Sequence, residues 1–282
     1  MFLLQRNEDI LNTAARCSEV IDYALERLAD SSEGLSFEKE AHLYFLGGQQ
    51  MRSVSSIVEH FAPFDTEGKA MKAATNPKHP LYGKSVEEII AIWNKKRDDA
   101  ADAGTLVHEF GEGCCDYLLG KESLLSEEVL GMVTPEGLAV DEPGKRAAAA
   151  RWWAENDWKR YCVVAKETRI VNPFLRYAGT FDLLLYDTLT DTFCVRDYKT
   201  NEDLYKWFGD YMVPPLNMLR ANDIGKYTVQ QTLYSIQLRN IGLQISSNQL
   251  VWLKEDGTYE CVELPLNYDR VIAFAVNNIK TN

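Results

Sequence analysis

Residues 177–200 read YAGTFDLLLYDTLTDTFCVRDYKT, and the fold follows from them. Two apolar runs, residues 180–186 and 192–198, flank the polar residues 187–191, the pattern of a β-hairpin. Side chains alternate along a strand, so Asp197 and Lys199 share one face and Tyr198 points to the other. Asp182 can face them from the neighbouring strand. It lies within the nearly continuous apolar run of residues 181–185, which implies a strand covered on both faces, where a carboxylate needs a partner. A divalent cation is one such partner. A buried salt bridge in which Lys199 neutralises one of the acids is the other, and the hairpin by itself leaves both open.

The chain has 282 residues, 46% of them apolar, enough for one large domain with a full core. No apolar stretch reaches membrane-spanning length, and the opening MFLLQRNEDILN turns polar too soon for a signal-peptide core, so export is not expected. The six cysteines include no CxxC pair and no small-domain disulfide spacing, which fits a reducing compartment and a cytoplasmic location. A net charge of -12 argues against a surface coated for DNA binding. It does not exclude nucleic acid, because a local basic track suffices and metal ligands can account for some of the carboxylates.

Residues 7–28 carry apolar residues at helical spacing and read as one amphipathic helix. Residues 41–45, Gly47-Gly48 and residues 50–52 suggest a small hairpin, with Ser53 as the N-cap of a helix through His60. Residues 65–84, rich in Gly, Pro, Lys and Asn, read as an irregular surface segment. A long helix follows over residues 85–119, opened by a Ser85/Glu88 capping box and carrying the basic cluster Lys95, Lys96 and Arg97. Farther along it Ala101, Gly104 and His108 share a face, with Glu112 one turn on, and the small residues allow close approach to a sheet.

Residues 120–144 read as an acidic loop and residues 145–161 as a helix in which basic residues, Arg151 among them, interleave with Trp152, Trp153 and Trp158. That pattern suits a groove tracking a nucleic-acid strand, and it equally suits an ordinary helix with its tryptophans in the core. Residues 162–171 read as an edge or half-exposed strand with Glu167 near its middle. After the hairpin, residues 201–225 form a long irregular connection with Trp207, Phe208 and Arg220, the kind that serves as a lid or binding loop. Residues 226–241 return to helix, with Gln230 and Tyr234 on one face. Residues 249–254 and 259–264 flank Asp256-Gly257 as a second hairpin, and Asn267 can cap a last helix.

Four of these groups, in chain order, carry a resemblance: Gly104-Thr105-Leu106-Val107-His108, Gly179-Thr180-Phe181-Asp182, Asp197-Tyr198-Lys199, and Gln230 with Tyr234. They resemble the GxxxH, GxxD, DxK and QxxxY motifs of the PD-(D/E)XK nucleases, RecB-like branch, and their spacing is similar to that of phage-type and mitochondrial-genome-maintenance-type exonucleases. His42-Leu43-Tyr44 and Arg52-Ser53-Val54-Ser55 resemble the entry segment, H-x-Y followed by P-S-V-T, with Arg52 in place of the proline. Phe181 stands where the family name has Pro. The resemblance spans residues 40–240. It implies an α/β (α+β) fold class, a restriction-endonuclease-like core in which a mixed central sheet is flanked by helices, with a helical N-terminal extension. The chain then divides as a single nuclease domain, residues 1–282, with an extension over residues 1–84, a catalytic core over residues 85–245 and a C-terminal hairpin and helix over residues 246–282.

The same resemblance implies a metal-dependent DNA exonuclease of replication, recombination or repair. An endonuclease of the same fold and a catalytically inactive nucleic-acid-binding subunit are the alternatives. His108, Asp182, Asp197 and the main-chain carbonyl of Tyr198 would bind Mg2+ or Mn2+, as oxygen donors with one imidazole do. Lys199 would orient or help deprotonate the attacking water. Glu167 resembles an acid that some members keep near the metal, and Gln230 and Tyr234 would brace the active-site face or contact DNA. Lys95, Lys96, Arg97, Arg151, Trp207, Arg220 and Lys226 are the candidate DNA contacts, with single-stranded or frayed ends preferred because rings stack on unpaired bases. A recombinase or single-strand-binding protein is the candidate protein partner, and a membrane is not. Only Cys261 lies downstream of Tyr234, so no iron-sulfur cluster is expected, and without a GK[ST] motif neither is ATP.

Overall fold

The computed structural model, described over residues 1–39 and 41–279, begins with strand β1 (Phe2–Leu4) and helices α1 (Glu8–Arg16) and α2 (Ser18–Ser31). The single helix expected over residues 7–28 is therefore broken at Cys17, and the break lets α1 bury Ile10 and Thr13 while α2 buries Ala24 and Leu28. Strands β2 (Leu35–Glu38), β3 (Leu43–Leu46) and β4 (Gln49–Ser53) form an antiparallel meander. Ser53 then caps α3 (Val54–Phe61) by accepting the Ser56 N–H at 3.0 Å, as its position in the sequence predicts. Residues 65–84 are not wholly irregular, because they contain α4 (Thr66–Thr75). Asp65 caps that helix through the Gly68 N–H, and Ala70 and Ala73 pack on Ile89, a small apolar stripe that outweighs the surrounding Gly, Pro and Lys.

Helix α5 (Val86–Leu118) has the expected Ser85/Glu88 capping box, and its 33 residues give a length of about 50 Å. The stretch read as a loop after it is partly ordered, with a 3-10 turn (Glu122–Leu124), helix α6 (Glu127–Gly131) and hairpin strands β5 (Val133–Thr134) and β6 (Gly137–Val140). β1 pairs with β6 to make a three-stranded sheet. Helix α7 (Lys145–Glu155) buries Trp152 and Trp153, and Trp158 beyond its end is buried with them. These rings are core and offer no stacking platform, because ring faces packed in an apolar interior are the more favourable use of so much surface.

Strand β7 (Tyr161–Asn172) leads to the hairpin of β8 (Tyr177–Asp187) and β9 (Thr192–Lys199). Helix α8 (Asp223–Asn240), strands β10 (Ile245–Leu253) and β11 (Tyr259–Leu264), and helix α9 (Asp269–Asn277) complete the chain. Tyr268, not Asn267, occupies the N-cap of α9, and its side chain makes no capping bond.

Among the described residues, eight strands form one mixed sheet in the order β11-β10-β9-β8-β4-β3-β2, with β7 on the other edge of β8. β9 and β10 pair in parallel, as do β4 and β8; the other pairs are antiparallel. Helices cover both faces, α2, α3, α8 and α9 packing on Phe181, Leu184 and Val195, and α5 and α7 on Leu183, Leu185 and Tyr198. This is a mixed α/β fold whose mixed sheet is flanked by helices. Among the described residues, no helix is long and apolar enough to cross a membrane.

The sheet is interrupted at one point. β7 runs along the whole of β8, but the opposite edge of β8 is shared: β9 takes residues 183–187 and β4 takes only Tyr177 and Ala178. Among the described residues no strand faces 179–182 on that edge, so β9 leaves β8 at Asp182.

Candidate functional site

In the register of β7 and β8, Glu167 falls opposite Asp182, between the pairs Lys166–Leu183 and Thr168–Phe181. Its φ of 43° is left-handed, uncommon for a residue with a Cβ. Regular alternation would put Phe181 and Leu183 on one face. Here Phe181 packs in the core under α3 and α8, and Leu183 in the core under α5 and α7. The strands change faces at the Glu167/Asp182 position, and the two carboxylates meet beside the gap that β9 leaves.

Helix α5 brings His108 to them. Its small-residue face approaches the sheet as closely as the sequence suggests. A Cβ on Gly111 would come within 3.0 Å of the Tyr198 ring, and one on Gly104 within 3.3 Å of Thr200 Oγ1. His108 Nδ1 lies 3.2 Å from Asp182 Oδ2. One ligand atom each from His108, Glu167 and Asp182 lie within 4.8 Å of one another. The Tyr198 N–H donates to Asp182 Oδ2 at 2.8 Å. Because the N–H and C=O of one extended residue share an edge, the Tyr198 carbonyl faces this side as well.

Asp197 stands apart from those three groups. Its carboxylate is buried and paired with Lys199, and its Oδ1 accepts no hydrogen bond among the described residues. The Lys199 ammonium also lies 4.4 Å from the centre of the Tyr227 ring. In front of these groups opens a cleft of about 450 Å3 whose walls include Gly104, His108, Glu112, Glu167, Lys199 and Tyr227.

The charges at the site shape one another. Burial and the neighbouring Asp182 charge push the Asp197 carboxyl up to about 6, even against the pull of Lys199. Burial opposes the charge on Asp182 too, but His108, Lys199 and the Tyr198 N–H outweigh it and hold its carboxyl low. Burial alone would lower His108, yet Asp182 lifts it to about 9. Burial likewise works against Lys199, and Asp197 more than compensates, so the ammonium is favoured. Desolvation, with Asp182 and Glu112 close by, pushes Glu167 up although much of its side chain is open to solvent.

Behind the cleft, Gln230 Nε2 donates to the Tyr234 hydroxyl at 3.1 Å. A Cβ on Gly179 would come within 2.9 Å of both Tyr234 and Val54, so the glycine of the Gly179 to Asp182 motif is there for packing. The Tyr44 hydroxyl lies 3.2 Å from Thr180 Oγ1, which brings the β3–β4 hairpin against β8 beside the site. Compared with known proteins, the chain matches no family model and no curated protein.

The candidate DNA contacts divide. Lys96 and Arg97 line a second cavity next to the cleft, and Lys226 lines a third with Arg97 and Gln230. Lys95 is exposed and pairs with Asp99. The Arg220 guanidinium covers the Trp207 ring at 4.5 Å, and Trp207 Nε1 donates to the Asp210 carbonyl at 2.6 Å, so these two hold their own loop together. Arg151 is not brought to the cleft; it pairs with Glu142 and lies over Phe2, because the buried tryptophans fix which side of α7 turns outward. Sequence reasoning missed Asp116 and Lys166, which form an ion network with Glu112 behind His108. The signal was available, since His108, Glu112 and Asp116 follow one another at helical spacings of four.

Proposed function

We propose that this chain is a metal-dependent nuclease that hydrolyses DNA from its ends, on a restriction-endonuclease-like core. One observation carries the reading: His108, Glu167 and Asp182, from one helix and two strands, converge beside the buried Asp197–Lys199 pair where β9 leaves β8. The resemblance of four motifs to one nuclease family gains support because three of them meet at that point and Tyr234 of the fourth packs on Gly179 behind it.

The residues fit a divalent cation on two grounds. Five carboxylates (Glu112, Asp116, Glu167, Asp182 and Asp197) crowd against three cations (His108, Lys166 and Lys199), and desolvation with this crowding already pushes the Glu167 and Asp197 carboxyls up. In addition, the buried Asp197 Oδ1 has no partner among the described residues. His108, Glu167 and Asp182 would hold Mg2+ or Mn2+, with Asp197 and the Tyr198 carbonyl beside it, and the imidazole favours Mn2+. Such an ion, when bound, polarises a phosphoryl oxygen and acidifies a water.

The chain's own groups do the rest. Lys199, kept cationic by Asp197, holds a water or a phosphate oxygen by charge and hydrogen bonding, and is poorly suited to take a proton. Tyr234 and Gln230 position the strand segment that carries Asp182 through the close packing at Gly179. The preference for ends and a role in DNA replication, recombination or repair both rest on the resemblance to exonucleases. End-labelled linear DNA and closed circles, each with Mg2+, Mn2+ or EDTA, provide the test. Linear DNA should be degraded only with a cation, and circles should resist. Cleavage in EDTA would overturn the metal dependence, and rapid cleavage of circles would turn the reading to an endonuclease.

A further inference from the structure

The N-terminal half of α5 packs against α4, and the 201–222 connection meets both helices through the Lys69–Asp210 and Lys96–Glu202 ion pairs. Between them lies a cavity of about 790 Å3, within the roughly 300–1,000 Å3 typical of small-ligand sites. Phe64, Trp93 and Phe208 form part of its wall, with Lys69, Lys72 and Lys206 around them. Phe64 is 54% exposed and Phe208 72% exposed, so two aromatic rings remain open to solvent at one place. Phe64 meets Trp93 edge-on at 6.2 Å, which supports it from behind. The Lys69 ammonium reaches both rings, 4.3 Å from the centre of Phe64 and 5.8 Å from that of Phe208. That cation, paired with Asp210 at 2.9 Å, therefore fills the space beside both rings.

We propose that this cavity binds an unpaired base of a single DNA strand whose next phosphates run into the catalytic cleft. The inference rests on the nuclease reading above and specifies its substrate. Three features select this occupant. First, the exposed rings supply a stacking surface that a base fills and a paired duplex cannot. Second, the wall is rich in cations although the chain carries a net charge of -12, and among the described residues Lys72 and Lys206 make no salt bridge, which leaves them for phosphates. Third, the cavity adjoins the cleft: Ala100 lines both, eight residues and about 12 Å along α5 from His108, a span of a few nucleotides. On binding, Lys69 exchanges Asp210 for a phosphate and the base takes its place beside the rings. Phe208, more open than its neighbour Trp207, is then the stacking residue of the connection.

The test is binding of a labelled oligothymidylate in EDTA, where nothing is cleaved, by wild type and by a Phe64→Ala/Phe208→Ala variant. Both rings are exposed, so the variant should melt like wild type. Its affinity for the single strand should fall by about tenfold, the effect of losing one base–ring stack. An abasic site walked along the oligonucleotide should weaken wild-type binding at one or two positions and leave the variant unaffected there. A Lys72→Ala/Lys206→Ala variant should keep that abasic pattern but lower the log–log salt slope by about 0.7 for each phosphate it no longer neutralises. Hydrolysis of bis(p-nitrophenyl) phosphate with Mn2+, which needs only the cleft, should be equal in wild type and the aromatic variant. Unchanged strand affinity in that variant, with hydrolysis intact, overturns the base site and leaves the nuclease reading standing. A wild type that hydrolyses neither substrate with any divalent cation overturns the nuclease reading instead.

Discussion

Glu167 faces Asp182 across β7 and β8, and the left-handed backbone of Glu167 is where both strands switch the faces they present to the two cores. For a side chain with a Cβ that conformation costs about 1–2 kcal/mol, which glycine avoids. Glu167→Gly should therefore be more stable than Glu167→Ala by about 1 kcal/mol in denaturant unfolding, while both lack the carboxylate. Equal stabilities would mean that the backbone there is unstrained.

The cation reading makes a prediction that needs no substrate. An ion bound only by the folded chain, at a hundredfold excess over its Kd, contributes about 2.7 kcal/mol. Added Mn2+ should raise the melting temperature of the wild type by several degrees, and EDTA should reverse it. Asp182→Asn removes a carboxylate that touches His108 and receives the Tyr198 N–H, and should lose most of that rise. A full rise in this variant would remove Asp182 from the ligand set.

At the far end of the hairpin, Arg160 donates Nε to Asp187 Oδ1 at 2.8 Å and a second nitrogen to Oδ2 at 2.6 Å. These bonds hold the Asp187 carboxyl below its usual value. A depressed folded-state value means stability that is present above the unfolded value near 3.8 and disappears as pH falls through the folded one. Because Arg160 is 36% exposed, screening limits the contribution to about 1 kcal/mol. Asp187→Asn should thus lower stability at neutral pH and flatten the acid limb of the unfolding curve below about pH 4. A variant whose loss is the same at every pH would show that the pair acts by packing alone.

Much of the site was legible because it depends on local periods. The shared face of Asp197 and Lys199, and the cover on both sides of Asp182, follow from strand alternation and an apolar run. His108 and the small residues beside it follow from helical spacing. The switch at Glu167 was not legible, because nothing in a glutamate announces a left-handed backbone; the surrounding packing imposes it. The place of Arg151 was not legible for a related reason, since alternating basic and aromatic residues describe an outer groove and an inner core equally well until the tryptophans choose a side. Phe64 and Phe208 lie far apart in the chain, and only the approach of α4 to the 201–222 connection brings them into one wall.

Gly179 joins packing to chemistry most directly. A methyl group there would sit 2.9 Å from Tyr234 Cε1, 2.9 Å from Val54 Cγ2 and 3.2 Å from Val54 Cβ. Tyr234 is buried and bonded to Gln230, so it cannot swing freely, and the strain must move β8 or the ring. Overpacking of this kind costs about 1–3 kcal/mol. Because Asp182 lies three residues along the same strand, Gly179→Ala should lower cleavage more than it lowers DNA binding measured in EDTA. Val54→Ala, on the other side of the clash, removes the Cγ2 atom and gives the new methyl group room. Combined with Gly179→Ala, it should restore part of the stability and activity. The pair should be clearly non-additive, as expected for residues in contact. Additive losses in the double variant would show that the clash is absorbed elsewhere, and that Gly179 does not set the position of Asp182.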